Sequence, residues 1–230
     1  MLTLFSYPEL YGVADNNPYG LKVLAFLRLS GLTFRHEHIF DAKAAPRGQL
    51  PYITDDGVAI GDSDAIIAYL SSRYHVDIDS GLTTDQRRTD LLIRRTLDDL
   101  YWVMSYSRWR DPRFWPLFCD ALLREHPALT RSGLEVAQRY NFERYHYQGI
   151  GRFEAEQVYA RGIADLEALA GLLGESQFIF GSTVRSADAG LYGFLANIHF
   201  YPIETPLRAF LSSRGNLVSY CARIHAAVTK

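Results

Sequence analysis

The chain has 230 residues and a mass of 26.1 kDa, a length that predicts one large domain or two small ones. Hydrophobic residues make up 48% and charged residues 22%, the balance of a globular chain with a sizeable core, which excludes a disordered or collagen-like protein. The formal net charge is -2 and no basic stripe is present, so nucleic acid is not expected as a partner.

Cysteine and histidine usage gives no sign of a metal site. The two cysteines, Cys119 and Cys221, lie far apart, so neither a zinc site nor a disulfide framework is predicted. The seven histidines are scattered singly, without the paired spacing of zinc proteases. No signal peptide is recognised, and no apolar run approaches the roughly 20 residues that a membrane helix needs. A cytoplasmic protein without a membrane partner is therefore expected.

The first third of the chain alternates between strand and helix patterns. Leu2–Phe5 is a short apolar run that predicts a buried strand. A helix is expected from Pro18, because Asn17 is a favourable N-cap, proline suits the first turn, and Gly31 suits the position just after the helix end. Phe34–Phe40 alternates as a second strand.

A hairpin and a second helix follow. Residues 51–54 and 58–60 are separated by Asp55-Asp56-Gly57, and Asp-Gly supplies the positive φ angles of a tight turn. Ser63 is predicted to cap the apolar helix that comes next. This order predicts a mixed sheet with helices packed on it, formed by residues 1–76.

Beyond the first 76 residues the strand pattern stops. Residues 77–84 are polar and turn-like and are interpreted as a linker, and an all-helical domain is predicted for residues 85–230. Thr83 and Gln86 have the spacing of a capping box that begins the first of its helices. Further helices are predicted at 153–173, 187–198 and 217–228, whereas residues 111–151 show irregular pieces that contain proline and glycine.

The most informative stretch joins two patterns, Ala45–Ile53 and Gly61–Leu70. A proline that opens a strand, here Pro51, is often cis, which turns the preceding backbone N–H and C=O toward a ligand. The following helix N-terminus offers free N–H groups to a carboxylate, and Asp62 and Ser63 add an acid and a hydroxyl. Together these groups could hold the carboxylate and the ammonium of a peptide. Ordinary helix capping is the alternative interpretation.

The same stretch carries a resemblance to a known family. Pro46-x-Gly48-x-Leu50-Pro51, followed by Asp62-Ser63-x-Ala65-Ile66, resembles the glutathione-site motif of the glutathione transferase superfamily. More closely, the chain is similar to the branch of failed-axon-connections and metaxin-like proteins. That similarity rests on the long loop of residues 7–17, the helix start Pro18-Tyr19-Gly20-Leu21-Lys22 and four distal pieces: Gln148–Arg152, Phe180-Gly181, Ala187-Asp188 and Asn216–Tyr220. The resemblance implies an α/β thioredoxin-like domain followed by an all-α domain, and a two-fold homodimer is one further expectation.

The resemblance also implies a function, the conjugation of glutathione to a small hydrophobic electrophile in detoxification. The backbone of Leu50, beside Pro51, would hold the cysteinyl part of glutathione. Asp62 and Ser63 would hold the γ-glutamyl end, and Gln49 the glycyl end. The chemistry is ionisation of the thiol, because a thiolate attacks an electrophile and a thiol hardly does. It requires a preset hydrogen-bond donor near the first helix.

The chain departs from its relatives at this donor. Asn17 stands where Ser or Cys is expected and Gly20 where a second Cys is expected, so mixed-disulfide chemistry is excluded here. Asn17 can donate from its amide, and Tyr7 follows the first strand, near the place of the hydroxyl in tyrosine-type transferases; both are candidate catalytic residues. Other hydroxyls near the loop stay open: Ser6, Tyr11 and Tyr19. A non-catalytic binding or scaffold protein of the same fold is the alternative function.

An aromatic cluster begins on the first helix of the second domain. Tyr101, Trp102 and Tyr106 cover more than one face of this helix. By resemblance, some of them are expected to line the pocket for the electrophile, whereas packing in the core is the alternative.

The start of one later helix also differs from the pattern of the family that the chain resembles. Arg185 stands where a capping Ser or Thr is expected three residues before Asp188. This change costs about 1 kcal/mol of helix stability. We expect Asp188 to keep its role at the helix start through charge and hydrogen bonding.

Overall fold

A computed structural model describes residues 1–229 of the chain, which begins with a four-stranded sheet. Strand β1 (Thr3–Ser6) pairs in parallel with β2 (Arg35–His38) and antiparallel with β3 (Tyr52–Asp55), which in turn pairs antiparallel with β4 (Val58–Gly61). The strand order is β2-β1-β3-β4. The predicted mixed sheet and its Asp-Gly hairpin are therefore confirmed.

Two helices complete this first part of the chain. In α1 (Pro18–Leu29), the Asn17 side-chain oxygen accepts a hydrogen bond from the Tyr19 N–H at 3.0 Å, as the N-cap prediction requires. The second helix, α2 (Ser63–Arg73), corrects one prediction. Its cap is Asp62, whose Oδ1 accepts the N–H groups of Asp64 and Ala65 at 3.1 Å each. Ser63 is already helical, because the positive φ of Asp62 (76°) turns the chain one residue earlier.

The rest of the described chain is helical and forms no strand up to residue 229. The capping box is present, since the Gln86 N–H donates to Thr83 Oγ1 at 3.1 Å and the Thr83 N–H donates to Gln86 Oε1 at 2.9 Å. The helices are α3 (Thr84–Trp109), α4 (Trp115–Glu125), α5 (Arg131–Gln148), α6 (Ala155–Leu173), α7 (Ser186–His199), α8 (Pro206–Ser212) and α9 (Gly215–Val228), with a 3-10 turn at Ile150–Arg152. The three later helices predicted from periodicity correspond to α6, α7 and α9.

Sequence patterns did not reveal helices α4, α5 and α8. Helix α5 buries only Leu134, Asn141 and Tyr145, which is too few apolar residues to give a helical period. Residues 74–83, between α2 and α3, have no helix or strand. They overlap the predicted linker 77–84, and the division into domains at this segment stays a proposal.

The two parts of the chain pack closely through α1 and α7. A side chain at Gly193 of α7 would place its Cβ 2.5 Å from the Pro18 carbonyl oxygen, so the two backbones meet directly. Arg108 of α3 adds a polar connection, because its guanidinium donates to the carbonyl oxygens of Asn16 at 2.7 Å and Asn197 at 2.6 Å. The loop just before α1 is thereby fixed against the helical part.

Asp188 holds the start of α7, as expected. Its completely buried carboxylate accepts the Arg185 N–H at 2.7 Å, the Ile179 N–H at 2.9 Å and the Tyr220 hydroxyl at 2.8 Å. The carboxylate therefore satisfies the N-terminus without the missing hydroxyl. Across residues 1–229, none of the helices combines the length and the apolar character that crossing a membrane requires.

Candidate functional site

A cleft of about 670 Å³ lies between the sheet part and the helical part. Its walls come from the ends of β1 and β4, the loop before β3, the starts of α1 and α2, and helices α3 and α5. Nine of the residues predicted for the site line it: Tyr7, Asn17, Gln49, Leu50, Pro51, Asp62, Ser63, Tyr101 and Trp102.

A second cavity of about 480 Å³ adjoins the cleft. It lies between α3, α4 and α5 and shares five lining residues with the cleft: Tyr7, Asn17, Tyr101, Tyr140 and Arg144. Most of its remaining wall is apolar, including Phe40, Met104, Trp109, Phe118, Leu122, Leu129 and Leu134. A polar compartment and an apolar compartment therefore meet at Asn17 and Tyr7.

Tyr106 does not belong to either compartment. It is buried, with its ring centroid 6.1 Å from that of Tyr145 and 6.3 Å from that of Tyr159. It faces the interior because it lies on the side of α3 that packs against α5 and α6. We therefore leave Tyr106 out of the proposed substrate pocket, while Tyr101 and Trp102 remain in it.

The amide of Asn17 has a fixed orientation. Its Oδ1 accepts the Tyr19 N–H, and its own backbone N–H donates to Asp15 Oδ1 at 2.6 Å. Its Nδ2 has no hydrogen-bond partner among the described residues, and the residue is only half-buried. Since the capping bond fixes the oxygen, the two N–H donors of the amide face the junction of the compartments.

Tyr7 offers a second donor at the same junction. Burial raises the pKa of its hydroxyl to about 12, with Tyr101 and Asp15 adding to the effect. The hydroxyl therefore keeps its proton at neutral pH. It donates to no group in the part of the chain that the structure describes, and its ring packs against Phe40 at a centroid distance of 6.5 Å.

The other hydroxyls near the loop have different surroundings. Ser6 is completely buried and lies 2.8 Å from His36 Nε2. The Tyr19 hydroxyl donates to Asp98 at 3.0 Å, and the Tyr11 ring packs on Tyr201 at 4.8 Å, outside the cleft. Asn17 and Tyr7 therefore remain the candidate donors.

Asp15 occupies the space that a side chain at position 20 would need. A Cβ at Gly20 would overlap Asp15 Oδ2 and lie 2.6 Å from its Cγ. Asp15 is completely buried, and burial raises the pKa of its carboxyl to about 8 against hydrogen bonds that lower it. The buried Asp15 thus explains the absence of a cysteine at position 20, because the site has room for only one of the two side chains.

The loop before β3 presents unpaired backbone to the cleft. The Leu50–Pro51 peptide is cis. The Leu50 N–H and C=O make no hydrogen bond to any residue from 1 to 229. Asp62 caps α2 through Oδ1 and accepts from Arg47 Nη1 through Oδ2 at 3.1 Å. Ser63 Oγ has no partner in the described chain. Free donors and acceptors thus face the cleft on two sides.

Charged residues that the sequence patterns did not reveal complete the cleft. Buried Lys22 forms an ion pair with Asp64, which also accepts from Arg94 Nη1 at 2.9 Å. Burial alone would raise the pKa of Asp64, but the two cations hold it below the ordinary value. Arg144 lines both compartments from α5. Arg94 and Arg144 lie in no recognisable motif, so only the tertiary structure brings them to Asp64 and to the cleft.

Comparison with known proteins identifies the family. A glutathione S-transferase N-terminal domain model matches residues 18–114, and a glutathione S-transferase C-terminal domain model matches residues 162–224. The isoprene-epoxide–glutathione S-transferase of Rhodococcus sp. (strain AD45) is 32% identical over 232 residues, which cover 97% of this chain and 98% of that protein. This chain belongs to the glutathione S-transferase superfamily.

Other relatives confirm the predicted likeness within this superfamily. Failed axon connections of Drosophila melanogaster is 31% identical over 90% of this chain and 53% of its own length, and metaxin-1 of Bos taurus is 26% identical over 97% and 74%. A beta-etherase from Sphingobium sp. strain SYK-6 has the same fold, with a TM-score of 0.69 at 16% identity over 99% of this chain and 97% of that one. The predicted glutathione transferase fold is confirmed.

Proposed function

We propose that this chain is an active glutathione transferase that binds glutathione in the polar cleft and a small hydrophobic electrophile in the adjoining apolar cavity. The observation that carries the proposal is the free Asn17 amide at the junction of the two compartments, fixed by its capping bond to the Tyr19 N–H. A reacting sulfur at this junction would contact a preset donor on one side and an electrophile on the other.

The cleft provides a counterpart for each end of glutathione. The unpaired Leu50 backbone suits the cysteinyl amide, in the manner of an added strand residue. The Ser63 hydroxyl and the N-terminus of α2 suit the γ-glutamyl carboxylate, and Asp62 suits its ammonium. Gln49, exposed at the rim, is assigned to the glycyl end.

Ionisation of the thiol is the step that the protein must assist. The Asn17 Nδ2 donor and the positive end of the α1 dipole both stabilise a thiolate more than a thiol. Tyr7 keeps its proton, since burial raises its pKa to about 12, and so it can donate a second hydrogen bond to sulfur. Each such preset donor contributes to the rate because it needs no reorientation during the reaction.

The apolar compartment suits an electrophile of a few carbon atoms. Its wall is formed mainly by aromatic and aliphatic side chains of α3, α4 and α5. The relative in Rhodococcus is named for glutathione transfer to isoprene epoxide, so a small epoxide is the first electrophile to assay. A role in detoxification, a cytoplasmic location and a homodimer belong to the same proposal.

The alternative is a non-catalytic member of the superfamily that binds glutathione without turnover. Two observations favour it: relatives that include failed axon connections and metaxins, and an amide in place of the usual hydroxyl or thiol at position 17. Retention on immobilised glutathione without conjugation of any electrophile would support this alternative over the enzyme.

The test measures the pKa of the bound thiol by following thiolate absorbance near 240 nm as pH is raised. We expect the wild type to lower this pKa by about 1–2 units from the free value of about 8.5–9. Asn17→Asp keeps the capping oxygen but removes the donor, so the pKa should return toward that of free glutathione. Asn17→Ser keeps the cap and supplies a hydroxyl, so it should preserve the depression. Tyr7→Phe tests the second donor in the same titration.

Two results would contradict the proposal. A bound thiol with the pKa of free glutathione in the wild type would show that no donor contacts the sulfur. Unchanged titration and conjugation rates in both Asn17→Asp and Tyr7→Phe would show that the sulfur lies elsewhere.

A further inference from the structure

Among the described residues, the Arg144 side chain has neither a carboxylate partner nor a backbone carbonyl partner, unlike the other arginines that line the two compartments. Arg47 pairs with Asp62 and Arg95 with Asp98, and Arg108 is bonded to carbonyl oxygens. Within residues 1–229, the Arg144 guanidinium has no carboxylate at ion-pair distance. Its side-chain hydrogen bond is from Nη1 to Asn141 Oδ1, at 2.9 Å.

Aromatic rings hold this guanidinium in place of a carboxylate. Its Cζ lies 5.1 Å from the centroid of Trp102, 5.8 Å from that of Tyr140 and 6.0 Å from that of Tyr101. Aromatic faces stabilise a cation without using its N–H donors. A guanidinium has five such donors, so the rings orient Arg144 and leave most of its hydrogen-bonding capacity open.

Arg144 carries its free donors at the place where the two compartments meet. Arg144 lines both the polar and the apolar compartment, as do Tyr7 and Asn17. It lies on the face of α5 that also presents Ala137, Tyr140 and Asn141 to the apolar compartment. Buried Asn141 is itself fixed, because its Nδ2 donates to the Ala137 carbonyl at 2.9 Å. The cation therefore lies where the two compartments meet, as do the candidate sulfur donors Tyr7 and Asn17.

We propose that Arg144 is a catalytic residue that stabilises the oxygen on which negative charge develops when an epoxide is opened. This inference rests on the proposed glutathione transferase function. The thiolate lone pair forms a carbon–sulfur bond while the carbon–oxygen bond of the epoxide breaks, and that electron pair leaves with the oxygen. The alkoxide accepts hydrogen bonds from Arg144 and takes a proton from water, giving a hydroxy thioether. The class of electrophile proposed for this site is therefore one in which the negative charge of the reaction develops on oxygen.

The kinetic test compares two four-carbon electrophiles in wild type and Arg144→Met. With 1,2-epoxybutane the charge develops on oxygen, whereas with 1-iodobutane it leaves on iodide, a poor hydrogen-bond acceptor. Loss of a preset oxyanion donor reduces turnover by about 10²–10³-fold, so kcat/KM for the epoxide should fall by about this factor. We expect kcat/KM for the iodide to fall less than about threefold. Arg144→Lys should recover part of the epoxide activity, because it keeps the charge and loses the planar fork.

Arg139→Met is the matched control. Arg139 lies on the same helix, is exposed and lines neither compartment, so both electrophiles should react as with wild type. An equal fall for both electrophiles in Arg144→Met would overturn the proposal, since that result indicates a packing role. A rise in KM for glutathione with an unchanged ratio between electrophiles would also overturn it, because Arg144 would then bind a carboxylate of glutathione.

A binding measurement separates failure of this inference from failure of the proposed function. S-carboxymethylglutathione places an anionic oxygen group next to sulfur, whereas S-ethylglutathione does not, and neither needs turnover. We expect the wild type to bind the carboxymethyl compound at least about tenfold more tightly, and Arg144→Met to abolish the difference. If conjugation is absent but this preference is present, the catalytic function fails while the anion site stands. Equal affinity of the wild type for both compounds would overturn the anion site.

Discussion

A cysteine at position 20, which the family resemblance leads one to expect there, should destabilise the protein. The Cβ of Gly20→Cys would lie 2.6 Å from Asp15 Cγ, whereas carbon atoms in contact prefer about 3.5–4.0 Å. Asp15 is completely buried and one of its oxygens accepts the Asn17 N–H at 2.6 Å. The aspartate can move only by breaking that hydrogen bond.

The cost follows from these two effects. Forcing atoms into a filled core costs about 1–3 kcal/mol, and leaving a buried polar group without its partner costs a further 1–3 kcal/mol or so. We therefore expect Gly20→Cys to lower the free energy of unfolding by about 2–6 kcal/mol. The assay is urea denaturation at pH 6 under reducing conditions, followed by tryptophan fluorescence.

A double-mutant cycle identifies the clash as the cause. Combining Gly20→Cys with Asp15→Ala should cost less than the sum of the single changes by more than about 1 kcal/mol, because the alanine removes the overlapping atoms. Gly171→Cys is the control, since a Cβ at that helical glycine meets nothing within 4 Å. A Gly20→Cys variant as stable as the wild type, or strictly additive effects, would refute the reasoning.

Three further predictions concern the surroundings of the site. Burial raises the pKa of Asp15 from 3.8 to about 8 in the folded protein, so between these pH values the Asp15 carboxyl takes up a proton on folding. The free energy of unfolding should therefore fall by up to about 1.4 kcal/mol per pH unit as pH rises from 5 to 8. Asp15→Asn should flatten that slope in urea titrations, and an unchanged slope would contradict the assignment. Gly193→Ala should lower the free energy of unfolding by about 2–4 kcal/mol, because the new Cβ meets the backbone of α1; an unshifted melting curve would argue against the close helix contact. Arg108→Met should cost about 2–4 kcal/mol, since two carbonyl groups lose their donor, and should raise KM for glutathione; a change in neither would indicate that Arg108 does not hold the loop before α1.

Local chemistry made much of the fold predictable from the sequence. The bounds of α1 follow from Asn17, Pro18 and Gly31, and the start of α3 follows from the Thr83–Gln86 capping box. In both places a short pattern satisfies the free backbone groups of a helix end. Helix α5 also has a cap at each end, Thr130 and the left-handed Gly149. It lacks an apolar period, because most of its side chains are exposed and one face lines a cavity instead of the core.

The candidate site was predictable only in part, for a related reason. The residues of the glutathione motif lie close in sequence, so Leu50, Asp62 and Ser63 could be placed together from their spacing. Arg144 lies more than a hundred residues from Asn17. Its guanidinium is held by Tyr101 and Trp102 of α3 and by Tyr140 of its own helix. Sequence spacing carries no information on such a pairing, because only the packing of α5 against α3 produces it.

The central claim is that glutathione lies in the cleft with its sulfur at the junction of the two compartments. A crystal structure of the wild type grown with reduced glutathione tests this most directly. The account predicts sulfur within about 3.5 Å of Asn17 Nδ2 or the Tyr7 hydroxyl, the cysteinyl backbone on Leu50, and the γ-glutamyl end at Ser63. Glutathione bound with its sulfur beyond hydrogen-bond reach of both donors, or outside the cleft, would contradict it.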